Sequence, residues 1–183
     1  IKKSEKGKKM VEHKILISEE KLQKRITELA EQISNDYGGE DITLICTLKG
    51  AVYFTIDLSK KITKSDVTLD FVRVSSYGIN NRETTGKLDF KLDISEDIKG
   101  KNVIVIEDIV DSGITLNYLY DYLKTKNPKS LKLCVLLDKK ARRQKEIAID
   151  YTGFEIENKF VLGYGLDYDE KYRNLPYIGY VEV

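Results

Sequence analysis

From Glu19 onward, Leu22, Ile26, Leu29 and Ile33 recur at the three-to-four-residue spacing of a helix's buried stripe. Ser18 stands where an N-cap belongs, and Gly38-Gly39 where such a helix stops. Ile42 to Leu48 is an apolar run of buried-strand length, Ala51 to Ile62 reads as a helix, and Val67 to Val74 as another strand. Ser75 to Lys87 has no apolar periodicity and sets two glycines among polar residues. A loop this long in a compact domain is often a lid or a binding element. Leu88 to Leu92 alternates like an exposed strand, whereas Asn102 to Ile106 is continuously apolar and leads into the acidic stretch Glu107 to Asp111. Leu116, Leu119, Tyr120 and Leu123 mark one face of a helix closing near Asn127-Pro128. Leu131 to Leu137 is again a buried strand, and short strands are expected at Ile147 to Asp150, Lys159 to Leu162 and Tyr177 to Val181. Alternating strands and helices imply an α/β fold, with a mainly parallel central sheet flanked by helices on both faces. Ligands of such sheets sit at the carboxyl ends of the strands.

Composition narrows the class. The chain has 183 residues, 41% of them hydrophobic and 33% charged, which excludes a disordered polymer. No apolar run approaches the ~20 residues of a membrane span, so no membrane association is expected. Lys and Arg number 31 against 30 Asp and Glu, a net charge of +1 that argues against a protein built to grip nucleic acid. Cys46 and Cys134 both lie inside apolar runs and read as small core residues rather than a disulfide framework. A cytoplasmic protein is expected. Residues 1–9 carry five lysines with no apolar stretch behind them, which suits a flexible basic tail or an appended remnant and not a secretory signal. Residues 10–183 then form a single domain.

The most informative segment is Val103-Ile104-Val105-Ile106-Glu107-Asp108-Ile109-Val110-Asp111-Ser112-Gly113-Ile114-Thr115. A buried strand emerges at two adjacent carboxylates, and a third follows three residues later. Carboxylates this close repel unless hydroxyls, a cation or a proton compensates them. Asp-Ser-Gly-Ile-Thr then offers consecutive backbone N–H groups and two hydroxyls at a helix N-terminus, which favours an anion. Acids on one side and a phosphate cradle on the other suit a sugar phosphate. A solvated strand end would account for one carboxylate but not for the whole pattern. Neither alternative phosphate signature is present: no G-x-x-x-x-G-K-[ST] occurs, and Gly163-Tyr164-Gly165 lacks the third glycine of a dinucleotide fingerprint.

This segment resembles the phosphoribosyl-pyrophosphate motif of the phosphoribosyltransferases. Four further segments, Leu48-Lys49-Gly50, Ser75-Ser76-Tyr77-Gly78, Leu136-Leu137-Asp138-Lys139 and Phe160 to Leu175, are similar in order to the 6-oxopurine branch, the bacterial-type hypoxanthine(-guanine) phosphoribosyltransferases. The likeness runs from about Val11 to Val183. It implies the type I phosphoribosyltransferase-like fold, with a small hood formed by the N- and C-terminal segments. It also implies assembly as a homodimer or homotetramer.

Roles follow from the resemblance, residue by residue. Lys49 and Gly50 would bind pyrophosphate, the Leu48–Lys49 peptide being able to adopt a cis form. The loop Ser75 to Gly86 would close over the site and exclude water, with Ser76 and Tyr77 nearest the pyrophosphate. Glu107 and Asp108 would hold the ribose hydroxyls, partly through Mg²⁺, and Asp111 would be the general acid/base at the purine ring. Ser112, Gly113, Ile114 and Thr115 would take the 5′-phosphate. Lys139 would donate to the purine's 6-oxo group, Phe160 would stack on the base, and Val161 would offer it backbone hydrogen bonds. Asp167 would reach the base side and a second Mg²⁺, and Arg173 the pyrophosphate. The residues alone leave other readings open: Lys49 as an exposed loop lysine, Phe160 and Val161 as strand core, and Lys139 as part of the charged run from Asp138 to Arg143. Lys140-Ala141 departs from related sequences, which often carry proline or a hydroxyl residue there.

The implied reaction moves ribose 5-phosphate from phosphoribosyl pyrophosphate to a 6-oxopurine. Two other classes are weaker. A regulatory protein on the same fold that binds RNA or DNA conflicts with the neutral charge. A receiver-type signalling domain phosphorylated on Asp108 would need an acidic pair at the end of the Ile42–Leu48 strand, where none occurs.

Overall fold

The computed structural model describes residues 11–76 and 88–182, so the basic tail, Tyr77 and most of the expected lid lie outside the described residues. Strand β1 (Lys14–Ile17) leads into α1 (Glu19–Tyr37), followed by β2 (Ile42–Thr47), α2 (Val52–Lys61), β3 (Val67–Ser76) and β4 (Leu88–Leu92). Then come β5 (Asn102–Val110), α3 (Ile114–Lys124), β6 (Ser130–Asp138), a 3₁₀ turn (Lys140–Arg142), β7 (Tyr151–Glu155), β8 (Phe160–Leu162) and β9 (Ile178–Val181). The limits of α1 follow from its caps. Ser18 Oγ accepts from the Lys21 N–H, and Gly38 takes a left-handed φ of 58° that stops the helix.

The central sheet has the order β4-β3-β2-β5-β6-β7, parallel throughout except for the antiparallel edge strand β4. Successive residues of the inner strands serve opposite faces. Leu44, Cys46, Ile104, Ile106, Cys134 and Leu136 pack with α1 and α2, while Ile45, Val103, Val105, Leu133 and Val135 pack with α3. Burial on both faces is why these strands read as continuous apolar runs. Both cysteines are buried and unbridged. A second, antiparallel sheet, β1-β9-β8, joins the two ends of the chain into the expected hood. Among the described residues no helix is long and apolar enough to cross a membrane.

Two expectations and one reading left open need correction. Ile147 to Asp150 is not a strand: Ile147 and Ile149 pack on the α3-side core, and Asp150 uses its carboxylate to accept the Leu133 N–H. Pairing with β6 begins only at Tyr151, opposite Cys134. Strand β5 also runs further than its apolar stretch, because Glu107, Ile109 and Val110 still pair with β6. Finally, Asp138 to Arg143 is not a solvated charged run. Asp138 and Lys139 are buried, and Lys140 and Arg142 are exposed.

Candidate active site

Leu48 to Gly50 follow β2, Asp111 to Thr115 follow β5, and Lys139 follows β6. Three adjacent parallel strands therefore deliver these segments to one edge of the sheet. Between β5 and α3, four consecutive carbonyls are tied down from behind. Val110 O accepts from the Lys139 N–H at 3.0 Å and from Arg143 Nη2 at 3.4 Å. Asp111 O accepts from Arg143 Nε at 3.2 Å. Ser112 O accepts from the N–H groups of Gln144 and Lys145, both at 3.0 Å, and Gly113 O from the Asn117 N–H and Nδ2. In a trans peptide the N–H points opposite to the C=O, so this anchoring turns the N–H groups of Ser112, Gly113 and Ile114 to the other side. That is an anion cradle at a helix N-terminus. Gly113 is required there: its φ is 76°, and a Cβ would lie 2.4 Å from Lys145 O. Arg143 is itself held by an ion pair to the buried Asp138, with side chains only 7% and 5% exposed.

The acids stand beside this cradle. Asp108 donates its N–H to Glu107 Oε1 at 3.2 Å, and the Thr47 hydroxyl lies 2.9 Å from the same oxygen. Burial, then the neighbouring Asp108, pushes the Glu107 carboxyl well above the ordinary carboxylate range. Asp108 presses on Gly50 so closely that a Cβ on that glycine would lie 1.6 Å from Asp108 Oδ2. Asp111 Oδ2 pairs with Lys139 Nζ at 3.1 Å and with Arg142 Nη1 at 3.6 Å. Its Oδ1 is buried without a hydrogen-bond partner among the described residues.

A third group of charges closes the site from the hood. The Leu48–Lys49 peptide is cis. A Cβ on Gly165 would come 2.0 Å from Gly50 O, so the hood loop lies directly on the Leu48–Gly50 turn. Gly165 exchanges hydrogen bonds with Arg173, its N–H reaching Arg173 O and its carbonyl accepting from Arg173 Nη1. Arg173 Nη2 pairs with Asp167 at 2.9 Å and with Glu170 at 3.3 Å, and Glu170 reaches across to Lys49 Nζ at 2.6 Å. Arg173 Nε is buried without a partner among the described residues. Phe160 is exposed and meets Tyr168 edge-on, while Val161 is buried.

Glu107, Asp108, Asp111 and Lys139 thus meet around the cradle, and Lys49, Gly50, Asp167 and Arg173 beside it. Ser76 is the last residue of β3, and Tyr77 lies outside the described residues. Sequence reasoning missed Arg143, Asp138, Asn117, Thr47 and Glu170. A buried Arg–Asp pair five residues apart has no periodic signature, although Arg143 lies inside the noted charged run. The acids form no protein cage: among the described residues no group of three or more His, Cys, Asp or Glu could hold a metal by itself. Mg²⁺ is a hard cation, commonly held by one or two carboxylates together with substrate phosphates, and this donor set fits that manner of binding.

Residues 15–169 match the phosphoribosyl transferase domain family. The chain belongs to that family. It is 44% identical to the hypoxanthine-guanine phosphoribosyltransferase of Bacillus subtilis over 166 residues, 91% of each chain. It is 48% identical to the bifunctional protein TilS/HprT of Listeria monocytogenes over 91% of its own length, which spans only 25% of that relative. A crystal structure of a hypoxanthine-guanine phosphoribosyltransferase from Bacillus anthracis is 51% identical and superposes with a TM-score of 0.88, covering 94% of this chain and all of that one. The mainly parallel sheet flanked by helices is the type I phosphoribosyltransferase fold.

Proposed function

We propose that this phosphoribosyltransferase, a single domain over residues 10–183, transfers the 5-phosphoribosyl group from phosphoribosyl pyrophosphate to hypoxanthine and guanine, giving IMP or GMP and pyrophosphate. It does so as a cytoplasmic homodimer or homotetramer in purine salvage. The observation that carries the reading is the 3.1 Å pair between Lys139 and Asp111, set beside a backbone anion cradle. A lysine donor and a carboxylate held together are what a purine presenting O6 and N7 side by side requires. A lysine ammonium can only donate, so it fits a 6-oxo acceptor and opposes adenine's 6-amino group.

Within this reading the N–H groups and hydroxyls from Ser112 to Thr115 hold the 5′-phosphate, and Glu107 and Asp108 accept from the ribose hydroxyls. Asp111 manages the proton at the purine ring. Phe160 stacks on the base and Val161 offers its backbone. Lys49, Gly50 and Arg173 draw off the negative charge that develops on pyrophosphate as the anomeric bond breaks. Ser76 and Tyr77 cover the pyrophosphate and exclude water. Mg²⁺, when bound near Glu107, Asp108 and Asp167, disperses leaving-group charge and fixes its orientation.

The test is an absorbance assay with phosphoribosyl pyrophosphate, Mg²⁺ and each of four purines. A site built around a required hydrogen bond can reject the wrong partner by about 10⁴–10⁵-fold, so adenine turnover should be almost nil. Adenine use comparable to hypoxanthine would overturn the assignment, and undiminished activity after complete chelation would remove the metal. Lys139→Ala should narrow the preference for hypoxanthine over adenine. Because Lys139 also holds Asp111, kcat should fall along with the rise in KM for the base. An unchanged ratio of kcat/KM values would leave Lys139 without a role in base choice.

A further inference from the structure

The charges between the hood and the Leu48–Gly50 turn are arranged as a ligand would arrange them. One carboxylate, that of Glu170, spans two cations. Its Oε2 lies 2.6 Å from Lys49 Nζ and its Oε1 3.3 Å from Arg173 Nη2. The two cations come from segments more than a hundred residues apart in the chain, so a single anion holds the hood loop to the β2 turn. Two oxygens on a common centre, each taking one cation, is also the smallest imitation of a phosphoryl group. Lys49 draws the Glu170 carboxyl below its ordinary range, and Arg173 adds to the effect, so the group is ionised at neutral pH.

Glu170 is built to reach this position and also to leave it. Its backbone is fixed in a tight turn: Asp169 and Glu170 both take left-handed φ values, 54° and 58°, and the Glu170 N–H donates to Asp167 Oδ2 at 2.9 Å. Consecutive non-glycine residues in that region are uncommon and are held only by surrounding structure. The side chain, by contrast, is 66% exposed, so it can swing into solvent without breaking any packing. Exposed ion pairs contribute little individually, which suits contacts that break on every cycle.

We propose that Glu170 is an internal rival of pyrophosphate, occupying the Lys49–Arg173 cation pair between turnovers and weakening the enzyme's hold on pyrophosphate after it. The proposal rests on the reading of Lys49 and Arg173 as pyrophosphate contacts. Binding of the polyanion displaces the carboxylate, and return of the carboxylate competes with the leaving product. The acid thereby trades affinity for release.

Titrate magnesium pyrophosphate into wild type, Glu170→Gln, Arg173→Ala and the double variant by calorimetry, checking each melting temperature. Glutamine keeps the size of the side chain and the turn N–H but cannot hold two cations by charge. Glu170→Gln should bind pyrophosphate about threefold to tenfold more tightly, the range expected for losing two exposed ion pairs. Inhibition of turnover by added pyrophosphate should strengthen by the same factor, while IMP affinity stays unchanged. Unchanged or weaker pyrophosphate binding overturns the proposal and makes Glu170 a support for Arg173 instead. Arg173→Ala separates the two levels. If it fails to weaken pyrophosphate binding, the pyrophosphate site itself is misread. If it weakens binding and Glu170→Gln does not tighten it, only the rivalry falls.

Discussion

The loop from Val110 to Gly113 follows the strand whose Asp108 presses on Gly50, and the loop from Gly163 to Leu175 lies on Gly50 itself, yet the two are held in different ways. In the first, the working groups are backbone N–H groups, and every carbonyl behind them is taken by another segment: Lys139, Arg143, Gln144, Lys145 or Asn117. In the second, the backbone bonds mostly to itself, Gly163 with Leu166 and Tyr168 with Lys171, and the working groups are side chains that pair with one another. A cradle made of main chain has no rotamer to lose, and the Ser112 hydroxyl that accepts from the Ile114 N–H at 3.4 Å is a long, weak partner. A clasp made of charged side chains rearranges cheaply. Under the proposed function the contrast is functional: the 5′-phosphate stays bound from substrate to product, whereas pyrophosphate must go.

The largest expected effect tests whether cradle and chemistry separate at Asp111. Its carbonyl is held by Arg143 whatever its side chain, while its carboxylate pairs with Lys139, under the proposed function at the base. Asp111→Asn should therefore lower kcat by roughly 10²–10⁴-fold, the worth of general acid–base catalysis, and leave phosphoribosyl-pyrophosphate affinity nearly intact. Steady-state kinetics with a direct binding measurement decides it. A loss in kcat below about threefold would make Asp111 a structural ligand only.

A smaller effect is expected behind the cradle. Arg143 serves Val110 O, Asp111 O and the Asp138 carboxylate with one planar fork, which a lysine cannot copy. Hydrogen bonds of this charged kind contribute about 1.5–3 kcal/mol, so Arg143→Lys should raise KM for phosphoribosyl pyrophosphate at least tenfold and change KM for hypoxanthine little. If the two constants move together, the cradle does not depend on its anchoring, and the contrast with the hood loop fails.

The same contrast explains what could be read from the sequence. Where structure is local it was legible: Ser18 and Gly38 bracket α1, the apolar runs mark the inner strands, and the acids fall at a strand's carboxyl end. What escaped depends on partners far along the chain. Strand β1 is four residues, of which Lys14 and Ile15 are exposed, and exists because β9 pairs with it from far along the chain. Burial of Asp138 and Arg143 inside a run of charges follows from their pairing and from the need to hold the carbonyls of Val110 and Asp111. Lys139, expected to donate to the purine's 6-oxo group, also pairs with Asp111 because β5 and β6 end side by side. Glu170 was passed over because nothing local distinguishes it from its acidic neighbours Asp167 and Asp169.

The smallest effect concerns two glutamates, Glu107 in the strand that leads into the first loop and Glu170 in the second, whose carboxyls shift in opposite directions. Burial and Asp108 raise Glu107 well above its unfolded value, and Lys49 lowers Glu170. A carboxyl raised on folding binds its proton more tightly in the native state, so it erodes stability as pH climbs from the ordinary carboxylate range toward the raised value. Glu107→Gln removes that loss. Its melting temperature should exceed the wild type's at pH 7, and the gain should fade as pH falls to about 4, where both native and unfolded Glu107 are protonated. A lowered carboxyl does the reverse, adding stability above its unfolded value that disappears on acidification. Glu170→Gln should accordingly melt at or slightly below wild type at pH 7 and rejoin it in acid. The second shift should be much the smaller, because the Glu170 pairs lie in solvent. Calorimetric scans of the three proteins from about pH 2 to 8, without ligand or metal, give both signs at once. Parallel curves for the two variants would mean that the end of β5 beside the cradle is no more desolvated than the hood, and that the division between fixed and movable halves of the site is misplaced.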